Sequence, residues 1–368
     1  MRVSLALVVV LMGACDGDAP PIAVPVTGWD AVLVTEIAGS DADGEVVLEL
    51  VTGAVRLADG TIVVADALAS ALKFFSPEGD LVRTVGRHGR GPQEFTTIGW
   101  LGRCGNRIVA FDNNTGSVAL VSPRGDIERR LQPSAHPSQS MSLSFMRCAP
   151  DGRMAFAGFP RLLPGGCLDD MHACQPMHTL LSIADGDGEI TDTIGEVFAA
   201  EMRPLGSLMQ FAMSNHALFV GASASDTVDV YDLNGRLRGF ILLELPEVPP
   251  TTANYDYAIG ERVAMSRDRA WQLEWIERMR RVPMPEVRPR YSGLFVSPGG
   301  ILWAVISHPG DTLTWLRSVN VDGNVGPDLR IPHGLRVLDM GDDYVIGTYE
   351  HEGTGDPHVV VYRLEPRG

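Results

Sequence analysis

Within residues 53–86 stand four short runs: Gly53-Ala-Val-Arg-Leu-Ala-Asp-Gly60, Thr61-Ile-Val-Val-Ala-Asp66, Ala71-Leu-Lys-Phe-Phe-Ser-Pro-Glu-Gly79 and Asp80-Leu-Val-Arg-Thr-Val-Gly86. Each is apolar or β-branched, and Asp-Gly and Pro-Glu-Gly turns separate them. Gly and Asp tolerate the positive φ of a tight hairpin, so such turns join antiparallel neighbours. Four strands paired in sequence order form a meander, the unit of a β-propeller blade.

The unit recurs. Its first turn returns at Cys104-Gly-Asn106, Pro150-Asp-Gly152, Ser214-Asn-His216, Pro298-Gly-Gly300 and Gly341-Asp-Asp343. Its second returns at Pro123-Arg-Gly125, Gly186-Asp-Gly188, Leu233-Asn-Gly235 and Val321-Asp-Gly323. Gly60, Asn106 and Gly152 are spaced by about 46 residues, inside the ~40–50-residue period of a blade. The sixth copy ends after Val359-Val-Val-Tyr362 without a fourth strand, while Ala31-Val-Leu-Val-Thr-Glu-Ile37 is a spare strand before the first. The expectation is an all-β, six-bladed β-propeller over residues 28–368, closed by the N-terminal strand so that its sheet edges are covered.

The chain has 368 residues, with 46 acidic against 30 basic side chains and a net charge of −16. That balance argues against a nucleic-acid partner, whose phosphates need a basic footprint. Lys73 is the only lysine, a ratio read as codon bias. At the N-terminus Arg2 precedes an apolar run, Val3 to Met12, and Gly13-Ala14-Cys15 follows. The run is too short to span a bilayer, which takes about 20 apolar residues. Small residues before a cysteine resemble the bacterial lipobox, with Met12 in place of its usual Leu; an ordinary cleaved signal is the alternative. The expectation is a signal peptide over 1–14, a lipid anchor on Cys15, a tether over 15–27, and a periplasmic envelope location with membrane contact through the lipid alone.

Four cysteines remain, an even number suited to an oxidising compartment. Cys104 and Cys148 precede the same turn in successive blades, which places a blade-to-blade disulfide within reach. Cys167 and Cys174 bracket one loop and are expected to form a local disulfide. Zinc held by Cys167, His172, Cys174 and His178 is the competing reading, though the spacing matches no common zinc pattern.

The long connections are expected at one rim. Gly158 to Pro176 lies between strands two and three of the third blade, and Glu350 to Pro357 occupies the same place in the sixth. Between blades four and five, residues 247–290 form the largest insertion. Tyr255 to Arg281 reads as a helix there, from Ile259, Val263, Trp271, Leu273, Trp275, Ile276 and Met279 at helical spacing. Arg278, Arg280 and Arg281 suit its C-terminal dipole, and Pro283 and Pro285 stop it. Such a helix either packs as a lid or shapes a pocket on the rim.

Gly86-Arg-His-Gly-Arg-Gly-Pro-Gln-Glu-Phe95 resembles the inter-blade loop of NHL-repeat proteins, and bacterial exported six-bladed β-propeller lipoproteins in particular. Val282 to Tyr291, followed by Gly299-Gly-Ile-Leu-Trp303, is similar to their fifth blade. In the loop, Arg87, His88, Arg90 and Glu94 are candidates for an anionic or sugar ligand, or for bracing the bend over Phe95. Asp112 and Asn113 invite a calcium reading by comparison with gluconolactonase-type propellers, which need an oxygen cluster. Asp66 and Asp112 also suit a structural role, accepting N–H groups of the next turn. NHL-type lyases use histidines at a channel zinc, and His88, His308, His351 and His358 lie on or near the same rim. No nucleophile elbow is evident. The functional expectation is a monomeric, non-catalytic lipoprotein binding a small molecule or an envelope protein through the insertion-bearing face. The alternative is a lactonase-like metal-dependent hydrolase or a lyase, with calcium or zinc in the central channel.

Overall fold

The computed structural model describes residues 28–40, 46–133, 141–160, 176–201, 203–264, 268–307, 314–320 and 322–367. The signal peptide, Cys15 and its tether, Cys167, His172, Cys174 and His308 lie outside the described residues.

β1 (Gly28–Ile37) precedes four antiparallel sheets of four strands each. The first holds β2 (Val51–Arg56), β3 (Ile62–Asp66), β4 (Ala71–Phe75) and β5 (Leu81–Val85). The second holds β6 (Ile98–Cys104), β7 (Arg107–Asp112), β8 (Ser117–Val121) and β9 (Ile127–Leu131). The third holds β10 (Met141–Cys148), β11 (Met154–Pro160), β12 (Met177–Ala184) and β13 (Ile190–Ala200). The fourth holds β14 (Met209–Met213), β15 (Leu218–Ala222), β16 (Thr227–Tyr231) and β17 (Leu237–Leu242). Two helices follow, α1 (Thr252–Ala264) and α2 (Arg269–Arg280). The chain ends with β18 (Gly293–Val296), β19 (Leu302–Ile306), β20 (Thr314–Val319), β21 (Asp328–Ile331), β22 (Arg336–Met340), β23 (Tyr344–Glu350) and β24 (Pro357–Pro366).

These last strands depart from expectation. With β1 they form one eight-stranded sheet, in the order β18-β19-β20-β21-β1-β24-β23-β22. The reading of six blades closed by an N-terminal strand is therefore corrected to four four-stranded sheets and one eight-stranded sheet. The cause is β1, which is paired along both edges. Gly28, Trp29 and Asp30 run parallel to Asp328, Leu329 and Arg330, while Trp29 to Ile37 run antiparallel to Pro366 to Val359. Gly28 permits the first contact, since a Cβ there would stand 2.4 Å from the Asp328 carbonyl oxygen.

The architecture is all-β and propeller-like. The first strands of the sheets lie side by side in the order β2, β6, β10, β14, β18, β22 and back to β2, around an axis. Strands next to them are sandwiched between neighbouring sheets, which explains unbroken apolar runs rather than alternation. Every residue of β3 and β4 is buried, whereas Leu81 and Val82 on the outer β5 are exposed. Leu72 and Phe74 of the first sheet pack with Ile98 and Ile108 of the second. Gly60 and Gly79 take positive φ at the two turns of the first unit, as tight hairpins require. A disulfide joins Cys104 to Cys148, linking β6 to β10 with Cα atoms 5.5 Å apart.

The helical insertion is also corrected, from one helix to two. Asp268 accepts from the Ala270 and Trp271 N–H groups, capping a new helix where a continuous one was expected. The pair is pinned by the buried Tyr255 hydroxyl, which donates to the Met279 and Val282 carbonyls at 3.2 and 2.6 Å. No helix among the described residues is long and apolar enough to cross a membrane.

Candidate binding face

Antiparallel alternation decides where the loops fall, whatever the number of sheets. In each four-strand unit the turns after the first and third strands share one end. The loop after the second strand and the link to the next unit share the other. The helices belong to a link, and the His351–Asp356 loop follows a second strand, so both occupy this latter end.

A polar cluster forms there. The Tyr349 hydroxyl donates to Glu36 Oε1 at 2.6 Å, and His358 Nδ1 meets the same oxygen at 2.7 Å. The rings of His351 and His358 stack with centroids 5.1 Å apart and planes 19° apart. His351 Nδ1 accepts from the Gly353 N–H at 3.2 Å, which ties the ring to its own loop. Strand register explains the convergence: Tyr349 pairs directly with His358 and Glu36 with Val360, placing all three side chains on one face. The hydrogen bonds from Tyr349 and His358 hold the Glu36 carboxyl below its usual range. Reciprocally, the bond to Glu36 pushes the Tyr349 phenol up to about 12.

The helices belong to the same end of the ring. Tyr255, Ile259 and Met279 pack with Leu205, on the link between β13 and β14. Tyr257 is half exposed, and its phenol is pushed up by burial and by the charges of Glu261 and Glu350. Glu350, whose charge reaches the Tyr257 phenol of α1, follows Tyr349 in the chain.

The other candidates take different roles. In the Gly-rich loop Glu94 accepts from the Gly91 N–H at 2.8 Å and from Arg87 Nε at 3.0 Å, which holds its carboxyl low. Phe95 is buried beneath, with the Arg130 guanidinium 4.7 Å from its ring centre. A Cβ on Gly86, at φ +92°, would lie 2.7 Å from Phe95 Cδ2. The loop is thus braced on itself, with Arg87, His88 and Arg90 exposed and His88 Nδ1 3.3 Å from the Ser70 hydroxyl. Glu36 and Tyr349 are absent from the sequence-based candidates. The expected pairing of Ala31–Ile37 with Val359–Tyr362 was the signal that could have found Glu36.

Asp112 does not fit a calcium ligand. Its two oxygens accept from the Thr96 N–H and hydroxyl and from the Asn114 and Thr115 N–H groups, at 2.6–3.2 Å. Asn113 is exposed, its amide lying over Gly99. His178 is exposed on β12. Among the described residues no group of three His, Cys, Asp or Glu side chains is placed to hold a metal ion.

Fold and face together define a propeller-like protein with a polar cluster at the end where its long connections lie. No protein-family profile matches the chain, and no curated protein matches it. Solved structures share its fold. A member of the DUF4221 family from Bacteroides vulgatus superposes with a TM-score of 0.57 at 12% identity, over 93% of this chain and 99% of that one. A Bacteroides fragilis protein described as exported gives 0.51 at 11% identity, over 92% and 95%. A calcium-binding regucalcin from Agrobacterium tumefaciens gives 0.46 at 10% identity, over 86% and 91%. At such identities the first two likenesses are of fold alone.

Proposed function

We propose that this is an exported, lipid-anchored envelope protein that binds a small molecule or a protein at its helix-bearing end, without chemistry of its own. The N-terminal run before Cys15 supports the export and anchoring. One observation carries the binding: a carboxylate, a phenol and two imidazoles from β1, β23, β24 and the His351 loop gather in one cluster. Binding residues commonly sit on loops held by a rigid scaffold. The braced Gly-rich loop exposes Arg87, His88 and Arg90, which widen the face.

The test is a thermal-shift screen of envelope-derived sugars, peptides and lipid head-group analogues on the full mature chain, with Tyr349→Phe and His351→Ala alongside. A ligand that stabilises wild type and is weakened in both variants supports the reading. Turnover of the bound compound, dependent on an added divalent ion, would replace it with the hydrolase or lyase alternative.

A further inference from the structure

The other end of the ring carries an unbalanced charge. Arg56 is the last residue of β2, and Arg103 and Arg147 are the next-to-last residues of β6 and β10. All three are half-buried. Arg103 Nη2 stands 3.6 Å from Asp339 Oδ2, and the Tyr344 hydroxyl donates to that same oxygen at 2.9 Å. The Arg56 guanidinium lies over the Tyr344 ring, 5.2 Å from its centre. One step round the axis, Arg147 lies 5.1 Å from the Phe211 ring centre and donates to the Met146 carbonyl at 2.8 Å.

Arg56 and Arg103 therefore stand at one carboxylate–phenol pair, and Arg147 lies one strand further round, against an aromatic ring and a backbone carbonyl. Arg103 Nε is buried and has no hydrogen-bond partner. Among the described residues no carboxylate pairs with Arg56 or Arg147. Burial disfavours the charged forms here, raising the Asp339 carboxyl and lowering Arg147 to about 10. In a chain of net charge −16, acidic side chains were abundant and were not used here. A half-buried, under-neutralised cation is costly unless something anionic reaches it, and the guanidinium fork matches oxyanions in two-point contact. The disulfide Cys104–Cys148 immediately follows Arg103 and Arg147 and holds their strands together.

We propose that Arg56, Arg103 and Arg147 form an axial site for a small oxyanion, a phosphate or a polycarboxylate, at the end of the ring opposite the helices. It is independent of the helix-bearing face.

Titration calorimetry of the full mature chain with inorganic phosphate, and separately with citrate, tests it at constant ionic strength set by chloride. Binding of either probe is expected, weakened at least tenfold in Arg147→Met and clearly in Arg103→Lys, which keeps the charge but loses the fork. Tyr349→Phe should leave it unchanged, which separates this site from the helix-bearing one. Phosphate preferred over citrate identifies a phosphate ligand, and the reverse order a carboxylate one. Should the variants unfold, wild type still decides: the bound probe should protect Arg103 and Arg147 from phenylglyoxal, read by peptide mass. Heats no greater than the chloride control, equal binding in both arginine variants, or no protection would overturn the proposal.

Discussion

Lys73, the only lysine in the chain, donates from Nζ to Asp66 Oδ2 at 2.7 Å, and the Asp66 side chain is completely buried. The Glu49 and Leu50 N–H groups donate to the same carboxylate at 3.1 Å each, and Nζ also reaches the Val47 carbonyl. The pair thus ties β3 and β4 to the segment entering β2. Breaking a buried pair from one side strands the other charge. Lys73→Met is expected to lose about 3 kcal/mol in urea denaturation. The double variant with Asp66→Asn should lose less than the two single losses combined, because the partners are coupled.

The Tyr349–Glu36 contact makes a titration prediction. The phenol stands at about 12 chiefly because Glu36 accepts its proton in a hydrogen bond. Glu36→Gln removes the negative charge, so the phenol should fall toward its ordinary 10, as read by phenolate absorbance. Conversely, Glu36 lies below its ordinary 4.5, with Tyr349 the leading cause. A depressed carboxyl contributes stability above its ordinary value and loses it as pH falls through the lowered one. The stability gap between wild type and Tyr349→Phe should therefore be largest near neutrality and shrink in acid.

Cys104 and Cys148 close a loop with a sequence separation of 44. The chain-entropy account of such a crosslink gives about 4 kcal/mol. The paired serine variant is expected to unfold at correspondingly lower denaturant. Peptide mapping of the oxidised chain should recover a crosslinked peptide containing Cys104 and Cys148.

The join made by β1 can be severed. Gly28→Val would push a side chain into the Asp328 carbonyl oxygen, 2.4 Å from the Cβ position. Faster hydrogen exchange is expected at amides in the β1–β21 ladder, while amides of β24 facing β1 beyond residue 33 stay protected. A cost of about 1–3 kcal/mol is expected, typical of a damaging single substitution. Uniform loosening of both edges would show that the parallel segment does not act separately.

Much of the strand arrangement was legible. Turns at Gly60, Gly79, Gly125, Gly152 and Gly235 carry positive φ, which only a few residue types adopt readily, so hairpins announce themselves locally. The Cys104–Cys148 pairing followed from equivalent positions in a repeat. The helix break at Asp268 was readable in principle, since a capping residue stands before Arg269, but Arg267-Asp268-Arg269 passes equally as the surface of a continuous helix. The parallel contact of Gly28–Asp30 with Asp328–Arg330 had no local mark, because three residues pairing across 300 positions leave no periodicity.

The chemistry divides along the same line. Repeating turns and apolar runs by themselves determined an all-β, propeller-like arrangement with long connections gathered at one end, because hairpin geometry and burial are short-range properties written in neighbouring residues. Only the tertiary structure decided that β1 welds two units into one sheet. It also decided that Glu36 meets Tyr349 and His358, and that Arg103 reaches past β2 to Asp339. Those relationships depend on which strands become neighbours round the axis, and charge and hydrogen bonding act through space rather than along the chain.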